Sequence, residues 1–154
     1  MKQRLIRRFE VEIVQLEREL TQELPKEIQR ARELGDLREN AEYQAAKERQ
    51  RFVQARVSML RQRVSEIQLM NVDRIPADRA GFGSKLTLRE VDREVVYELV
   101  MPEDADPDRG FVSVASPIGR ALVGKEAGDE VNVPTPAGIR TFEILKLVTV
   151  HDED

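Results

Sequence analysis

The sequence predicts an N-terminal antiparallel coiled-coil hairpin of two α-helices, followed by a small α+β domain with an antiparallel sheet and one helix. Three observations lead to this fold class. Apolar residues recur every three or four positions over residues 1–70, they alternate with polar residues in short runs after residue 84, and one proline and two glycines separate the two patterns. The predicted boundaries are 1–75 for the hairpin, 76–83 for a linker and 84–154 for the globular domain.

The composition narrows the class of protein. Of the 154 residues, 35% are charged and 5% are aromatic, which favours long solvated helices over one thick core. The absence of cysteine excludes disulfides and thiolate metal sites. No apolar run is long enough for a signal peptide or a membrane span. We therefore expect a soluble, cytoplasmic chain with no membrane partner, present as a monomer.

The charge differs between the two halves. Residues 1–70 hold 15 Lys+Arg and 12 Asp+Glu, a formal charge of +3, whereas residues 71–154 hold 10 and 17, a formal charge of −7. Opposite signs suggest two domains with different surroundings, and the basic half is suited to a position near a polyanion. A solvated helix with many ion pairs accounts for the same charges, so both interpretations stay open.

The first predicted helix runs from about Arg4 to Leu34. Pro25 interrupts it, because proline has no amide hydrogen and crowds the preceding turn, so we expect a kink or break near Thr21–Leu24. The apolar positions of this helix follow a three-and-four spacing: Phe9, Ile13, Leu16, Leu20, Leu24, Ile28, Ala31 and Leu34.

The second predicted helix runs from about Glu39 to Met70, after Gly35, which can end the first helix with a positive φ. Its seam positions also alternate by three and four: Tyr43, Ala46, Gln50, Val53, Val57, Leu60, Val64 and Ile67. A short connection makes the two helices antiparallel neighbours, each about 45 Å long. Extending the seam back by one heptad reaches Asp36 and Glu39, which should therefore project at the tip.

The globular domain is predicted from period-two patterns and turn residues. Serine as N-cap and proline in the first turn open a short helix at Ser116-Pro117, which Gly124 ends. The expected strands are Lys85–Arg89, Glu94–Met101, Phe111–Val114, Glu130–Val133 and Ile139–Val150.

Asp36 and Glu39 allow two interpretations. An Asp-x-x-Glu pair at a helix start is typical of a capping box, in which Asp36 accepts from the Glu39 amide. Alternatively, two projecting carboxylates can complete a Mg²⁺ site that another macromolecule partly supplies, since Mg²⁺ keeps waters and takes one or two protein carboxylates. A narrow hairpin would deliver them into a deep cleft, but physical chemistry alone does not select this use.

Four segments resemble the GreA/GreB family of bacterial transcript-cleavage factors. They are GDLRENAEYQAAKERQ at Gly35–Gln50, FGSKLTL at Phe82–Leu88, VSVASPIGRALVGKEAGDEV at Val112–Val131 and TPAG at Thr135–Gly138. The Ala-Ala-Lys run after Tyr43 is more similar to GreA than to GreB. The resemblance covers nearly the whole chain and implies a globular domain similar in fold to FKBP-type prolyl isomerases.

The resemblance implies a transcription elongation factor. The coiled coil would enter the secondary channel of RNA polymerase, and the tip pair Asp36 and Glu39 would help to hold a Mg²⁺ ion shared with the polymerase. The polymerase would then cleave the nascent RNA 3′ end of a backtracked, arrested complex. The chain itself would have no self-contained active site and would bind no cofactor when free.

Further residues are implied by position in the matched motifs. Asn40 and Tyr43 would support the tip, and the basic residues Lys47, Arg49 and Arg51 would approach RNA phosphates. The globular domain would dock near the channel entrance through Ser116, Pro117, Ile118 and Arg120.

Three other functions compete with this one. A Gre-like regulator would occupy the same channel without promoting cleavage, but such proteins tend to alter the tip motif, which is present here. A structural coiled-coil adaptor would not bind polymerase. A self-contained nuclease is the weakest alternative, because two carboxylates on an exposed tip lack the fixed clamp that such chemistry needs.

Overall fold

The structure, a computed structural model, describes residues 2–35 and 40–152. The chain divides into two compact units, Lys2–Met70 and the part from Asn71 onward. The described part of the first unit is helical, and the second contains a five-stranded sheet and a short α-helix. The division falls at the end of the second long helix, five residues before the predicted end of the hairpin.

The helical unit is an antiparallel hairpin. Contacts between its arms join the start of one to the end of the other: Lys2 Nζ donates to the Gln68 carbonyl at 2.5 Å, and Arg56 Nε lies 2.8 Å from a Glu12 carboxylate oxygen. This order confirms the predicted hairpin, whereas supercoiling of the arms stays a prediction. The helical segments are α1 (Gln3–Arg18), a π-helical turn (Glu19–Glu23), α2 (Leu24–Arg32) and α3 (Ala41–Leu69).

The π-helical turn lies where the sequence predicts a kink or break. Pro25 removes one amide hydrogen, and its ring crowds the carbonyl one turn earlier. The Leu24 amide donates to the Glu19 carbonyl, five residues back, and the Thr21 hydroxyl donates to the Glu17 carbonyl at 2.8 Å. Hydroxyl bonds of this kind bend helices, and inserted π turns are a common cause of kinks.

Most predicted seam positions face the interior of the hairpin. The buried ones are Phe9, Leu24, Ala31, Ala46, Val53, Val57, Leu60 and Ile67. Gln50 is half-buried. Leu34 was wrongly assigned to the seam: it is 63% exposed, because α2 ends at Arg32 and the following turn no longer follows the helical repeat.

The second unit contains one mixed sheet with the strand order β3-β2-β1-β5-β4. Strand pairs β1–β2, β1–β5 and β4–β5 are antiparallel, as predicted. The strands are β1 (Lys85–Glu90), β2 (Arg93–Val100), β3 (Phe111–Ser113), β4 (Glu130–Thr135) and β5 (Gly138–Val148), and α4 spans Pro117–Leu122 between β3 and β4.

The prediction of an antiparallel sheet is wrong for its edge strand β3, which runs parallel to β2 with Glu98 opposite Phe111. Parallel neighbours need a connection long enough to return the chain to the same end of the sheet. The acidic segment between the strands supplies it with two 3₁₀ turns, Pro102–Asp104 and Pro107–Arg109. The likeness to FKBP-type isomerases stays a prediction.

The core of this unit lies between one face of the sheet and α4. It consists of alternate strand residues and one helix residue that are all nearly inaccessible to solvent: Leu86, Leu88, Leu99, Leu122, Val131, Val133, Phe142 and Ile144. Ser116 caps α4, since its hydroxyl accepts from the Gly119 amide at 3.1 Å. The predicted short helix therefore begins at the expected serine.

The segment 76–83, expected to be a linker, is partly built into the globular unit. Ala80 is 1% exposed, its amide donates to the Lys125 carbonyl, and its carbonyl accepts from the Gly124 amide, both at 2.8 Å. The Gly83 amide donates to the Leu99 carbonyl at 2.9 Å. The segment therefore forms backbone hydrogen bonds with the globular unit and is more than a connection between the two units.

Candidate functional site

The candidate site is the end of the hairpin at which α2 ends and α3 begins. Helix α2 ends at Arg32, Gly35 has a φ of +125°, and α3 begins at Ala41. A positive φ of this size is readily adopted only by glycine, so Gly35 permits the reversal of the chain. The predicted site residues Asp36 and Glu39 lie outside the described residues.

The Asn40 side chain contacts both arms of the hairpin at this end. Its Oδ1 accepts from the Tyr43 amide at 3.1 Å and so caps α3, while its Nδ2 donates to the Ala31 carbonyl at 2.5 Å. That carbonyl belongs to the last turn of α2 and also accepts from the Leu34 amide at 3.1 Å. The sequence predicted a helix start near Glu39 with Asp36 as a candidate cap, but the N-cap is Asn40. The Asn40 side chain therefore forms a hydrogen bond with a helix end on each arm.

We expect Asn40→Ala to weaken the hairpin by about 1–2 kcal/mol, because it removes both the cap and the cross-link to Ala31. Asn40→Ser is the matched control, since serine caps helices equally well but is too short to reach Ala31. Urea unfolding followed by far-ultraviolet circular dichroism should place Asn40→Ser between the wild type and Asn40→Ala. Equal stability of all three proteins would contradict the clamp.

Tyr43 lies one turn into α3 and is half-buried on the seam. The Arg32 guanidinium is 6.0 Å from the centre of its ring, at the edge of cation–π range. Ala31 and Ala46 are 3% and 7% exposed, so small side chains bring the two arms together behind the ring. These contacts place Tyr43 as a half-buried packing residue near this end of the hairpin.

The three basic residues predicted to lie near RNA are not brought together. Lys47 and Arg51 are four residues apart and share one side of α3, whereas Arg49 projects from the other side. Lys47 Nζ donates to Gln50 Oε1 at 2.9 Å. No partner of Arg51 occurs within residues 2–35 and 40–152.

Arg49 is held by a residue that the sequence did not single out. Its Nε and Nη2 donate to the two carboxylate oxygens of Glu19 at 2.6 and 3.0 Å, and its guanidinium lies 5.3 Å from the centre of the Phe52 ring. The hydrogen bonds lower the pKa of the Glu19 carboxyl and raise the pKa of Arg49. Binding of a phosphate by Arg49 would thus compete with an existing partner. Matching residues at equal distances before and after a turn near Gly35 would have suggested that Glu19 lies near Arg49.

The four residues predicted to dock lie at the N-cap and within the first four residues of α4. The Ser116 hydroxyl donates to the Ser113 carbonyl at 2.7 Å as well as capping the helix, so its side chain is engaged within the fold. Ile118 is half-buried against the core. Pro117 and Arg120 are exposed and are the members of the set that a partner would reach.

The globular unit contains a second ion pair that the sequence did not predict, between Arg140 and Glu90. Arg140 donates through Nε and Nη2 to the two carboxylate oxygens of Glu90, both at 2.8 Å, and its guanidinium lies 4.9 Å from the Phe142 ring centre. The hydrogen bonds from Arg140 hold the pKa of Glu90 below its usual value. The pairing of β1 with β5 creates this contact, and no local pattern predicts that register.

Within the described residues, no helix is both long and apolar enough to cross a membrane. The same part of the chain contains no group of three or more His, Cys, Asp or Glu side chains arranged to hold a metal ion.

Two family models together match nearly all of the chain. The model described as "Transcription elongation factor, N-terminal" matches residues 1–69, and the one described as "Transcription elongation factor, GreA/GreB, C-term" matches residues 75–149. The chain belongs to the GreA/GreB family of transcription elongation factors. The two matched ranges correspond to the helical hairpin and to the globular unit.

Two GreA proteins of other bacteria support the assignment. The transcription elongation factor GreA of Hyphomonas neptunium is 44% identical over 79% of this chain and 78% of its own length. The GreA of Desulfotalea psychrophila is 39% identical over 93% of this chain and 90% of its own. Among solved structures, GreA factor homolog 1 (Gfh1) of Thermus thermophilus is 27% identical, with 95% of this chain and 93% of that chain covered and a TM-score of 0.42.

Proposed function

We propose that this protein binds RNA polymerase through the secondary channel and stimulates the polymerase's own cleavage of backtracked nascent RNA. Its membership of the GreA/GreB family supports a role in transcription elongation. One structural observation carries the finer assignment. Asp36 and Glu39 both belong to the four residues between Gly35 and Asn40, at the end of a hairpin whose arms Asn40 joins.

The hairpin has the dimensions for this task. Helix α3 contains 29 residues, which corresponds to about 43 Å at 1.5 Å per residue. A rod of this length and the width of two helices can carry side chains into a centre that a globular domain cannot enter. Residues of α4, with Pro117 and Arg120 exposed, would remain near the channel entrance and hold the globular unit there.

The residues of the chain have distinct roles in this proposal. Asp36 and Glu39 would hold a Mg²⁺ ion together with the polymerase, since carboxylates with retained waters are the donor set that Mg²⁺ prefers. When bound, the ion supplies positioning and activation of the water that attacks the RNA phosphodiester. Asn40 and Tyr43 keep the tip in place, and Lys47 and Arg51 offer positive charge to RNA phosphates on one side of α3.

The decisive experiment uses stalled elongation complexes with RNA labelled at its 5′ end, Mg²⁺ and the purified full-length protein. We expect shortened RNA that remains in the complex and can be extended again, at a rate well above that without the protein. The protein incubated with free RNA should release nothing. Binding to polymerase without faster cleavage would contradict the proposal and favour a non-cleaving regulator, and a failure to bind would favour a structural adaptor.

A further inference from the structure

The first arm of the hairpin has an apolar spacing that a regular α-helix does not match. Four of its residues are buried or half-buried at intervals of four: Leu16, Leu20, Leu24 and Ile28. An α-helix repeats about every 3.6 residues, so three steps of four would turn the last side chain about 120° away from the first. The π-helical turn takes up about one residue more than an α-helical turn, which allows all four side chains to face α3. The seam spacing therefore favours the π-helical turn in addition to Pro25.

The side chain of the first residue of the π-helical turn is held by the other arm. Arg49 on α3 donates through Nε and Nη2 to the two carboxylate oxygens of Glu19 at 2.6 and 3.0 Å. The Arg49 guanidinium also lies 5.3 Å from the centre of the Phe52 ring, within cation–π range. Two parallel hydrogen bonds from one guanidinium fix the direction of the contact as well as its distance. The Glu19–Arg49 pair therefore fixes the start of the π-helical turn against α3.

A small change at this turn is enlarged toward the tip of the hairpin. Arg32, the last residue of α2, is 13 residues beyond Glu19, which corresponds to about 20 Å. Over that length, a tilt of about 5° displaces the end of α2 by about 2 Å. Asn40 joins that end to the start of α3, so the displacement affects both sides of the segment that contains Asp36 and Glu39. A misplacement of about 1 Å can cost about a hundredfold in the rate of a catalysed reaction.

The hairpin contains a matched pair that does not involve the π-helical turn. Arg56 donates through Nε and Nη2 to the two carboxylate oxygens of Glu12 at 2.8 and 3.4 Å. Glu12 lies within α1, before the turn, so this pair joins the same two arms without holding the turn. Ion pairs at the surface contribute little to folding stability, because solvent screens the charges and ordering of the side chains costs entropy. Either pair can therefore be removed without unfolding the hairpin.

We propose that Glu19 and Arg49 are positioning residues: by fixing the π-helical turn against α3, they set where the end of the hairpin that carries Asp36 and Glu39 lies in the polymerase. This inference rests on the proposed function, which assigns Asp36 and Glu39 to the cleavage step. It also changes the role of Arg49, which acts through Glu19 instead of contacting RNA phosphates.

The test measures stimulated cleavage by stalled elongation complexes over a range of protein concentrations, which gives the maximal rate and the concentration for half-maximal rate. The variants are Glu19→Gln, Arg49→Lys, the exchange Glu19→Arg/Arg49→Glu and the control Glu12→Gln. We expect Glu19→Gln and Arg49→Lys each to lower the maximal rate about tenfold, with the half-maximal concentration within about twofold of the wild type. The exchange should restore the rate to within about threefold, and the control should stay within about twofold.

Two of these variants separate positioning from direct contact with RNA. Lysine keeps the positive charge of Arg49 but cannot form the two parallel hydrogen bonds, so attraction to an RNA phosphate predicts nearly unchanged cleavage for Arg49→Lys. Glu19→Gln releases Arg49 from its charged partner, so the same alternative predicts unchanged or faster cleavage. Wild-type rates in both variants would overturn the proposal, and so would equal losses in Glu19→Gln and Glu12→Gln.

Hydrogen exchange tests the pair without polymerase. We expect the α2 amides to exchange at least about threefold faster in Glu19→Gln than in the wild type, because local opening then requires one contact fewer, and to exchange at wild-type rates in Glu12→Gln. Unchanged α2 exchange in Glu19→Gln would show that the pair does not hold the turn and would overturn the inference, whatever the cleavage rates. A wild type that stimulates no cleavage would instead contradict the proposed function, and hydrogen exchange would still decide whether the pair holds the turn.

Discussion

The single substitutions Asp36→Asn and Glu39→Gln are each expected to reduce stimulated RNA cleavage by about a hundredfold or more. Each variant should bind polymerase about as tightly as the wild type. Each amide keeps the size of the side chain but removes the negative charge that would hold Mg²⁺. Removing one preorganised charge or donor from a reacting centre costs enzymes about 100- to 1,000-fold in rate. Stalled complexes with labelled RNA give the cleavage rate, and competition against labelled wild-type protein gives the affinity.

Glu33→Gln and Glu42→Gln provide the matched controls. Both residues are exposed and flank the segment that contains Asp36 and Glu39, so each control removes one charge near the same end of the hairpin. We expect the controls to change the cleavage rate by less than about threefold, because bulk charge at the tip is not the cause. Full cleavage by both Asp36→Asn and Glu39→Gln would exclude the carboxylates from the chemistry.

Gly119→Ala is expected to destabilise the globular unit by about 2 kcal/mol, although alanine normally strengthens a helix relative to glycine by about 1 kcal/mol. A Cβ at this position would lie 1.9 Å from the Ser113 carbonyl oxygen and 3.0 Å from Ser116 Oγ. The helix must shift away, which costs about 1–3 kcal/mol of overpacking and about 1 kcal/mol of the Ser116 cap. The steric term therefore exceeds the helix propensity.

Thermal unfolding by circular dichroism checks this prediction, and a loss of about 2 kcal/mol should lower the midpoint of a domain of this size by about 10 °C. Gly81→Ala is the control, because its Cβ would meet Ile75 Cγ2 at 3.5 Å, an ordinary contact. A midpoint for Gly119→Ala equal to or above that of the wild type would show that β3 and α4 separate easily.

Individual residues show how far the sequence predicts the site. The seam from Ala46 to Ile67 and the interruption at Pro25 were predictable, because helical periodicity and the missing amide of proline act within a few residues. The sequence offered Asp36 as one candidate cap and did not single out Asn40, because Asx residues near a helix start are all plausible caps. Asn40 is distinguished only by the Ala31 carbonyl that the other arm brings within 2.5 Å.

In the globular unit, too, some features were predictable from the sequence and others were not. Its strands and the Ser116 cap were predictable from alternation and turn chemistry, but the parallel pairing of β3 with β2 was not. A short strand pairs equally well with several edges as far as its own residues show, and the connection decides its direction. The close approach of Gly119 to Ser113 belongs to the turn between β3 and α4, in which the Ser116 amide and hydroxyl both donate to the Ser113 carbonyl.

The sequence alone determined the two-part organisation, the antiparallel helices, the position of Asp36 and Glu39 between them and the likeness to the GreA/GreB family, because these follow from local periodicity, turn residues and motifs. Only the tertiary structure decided the direction of β3, the partners of Arg49 and Arg140 and the Asn40 clamp. All of these depend on register between segments far apart in the chain, and register is set by packing of the whole unit, not by the preference of any one segment.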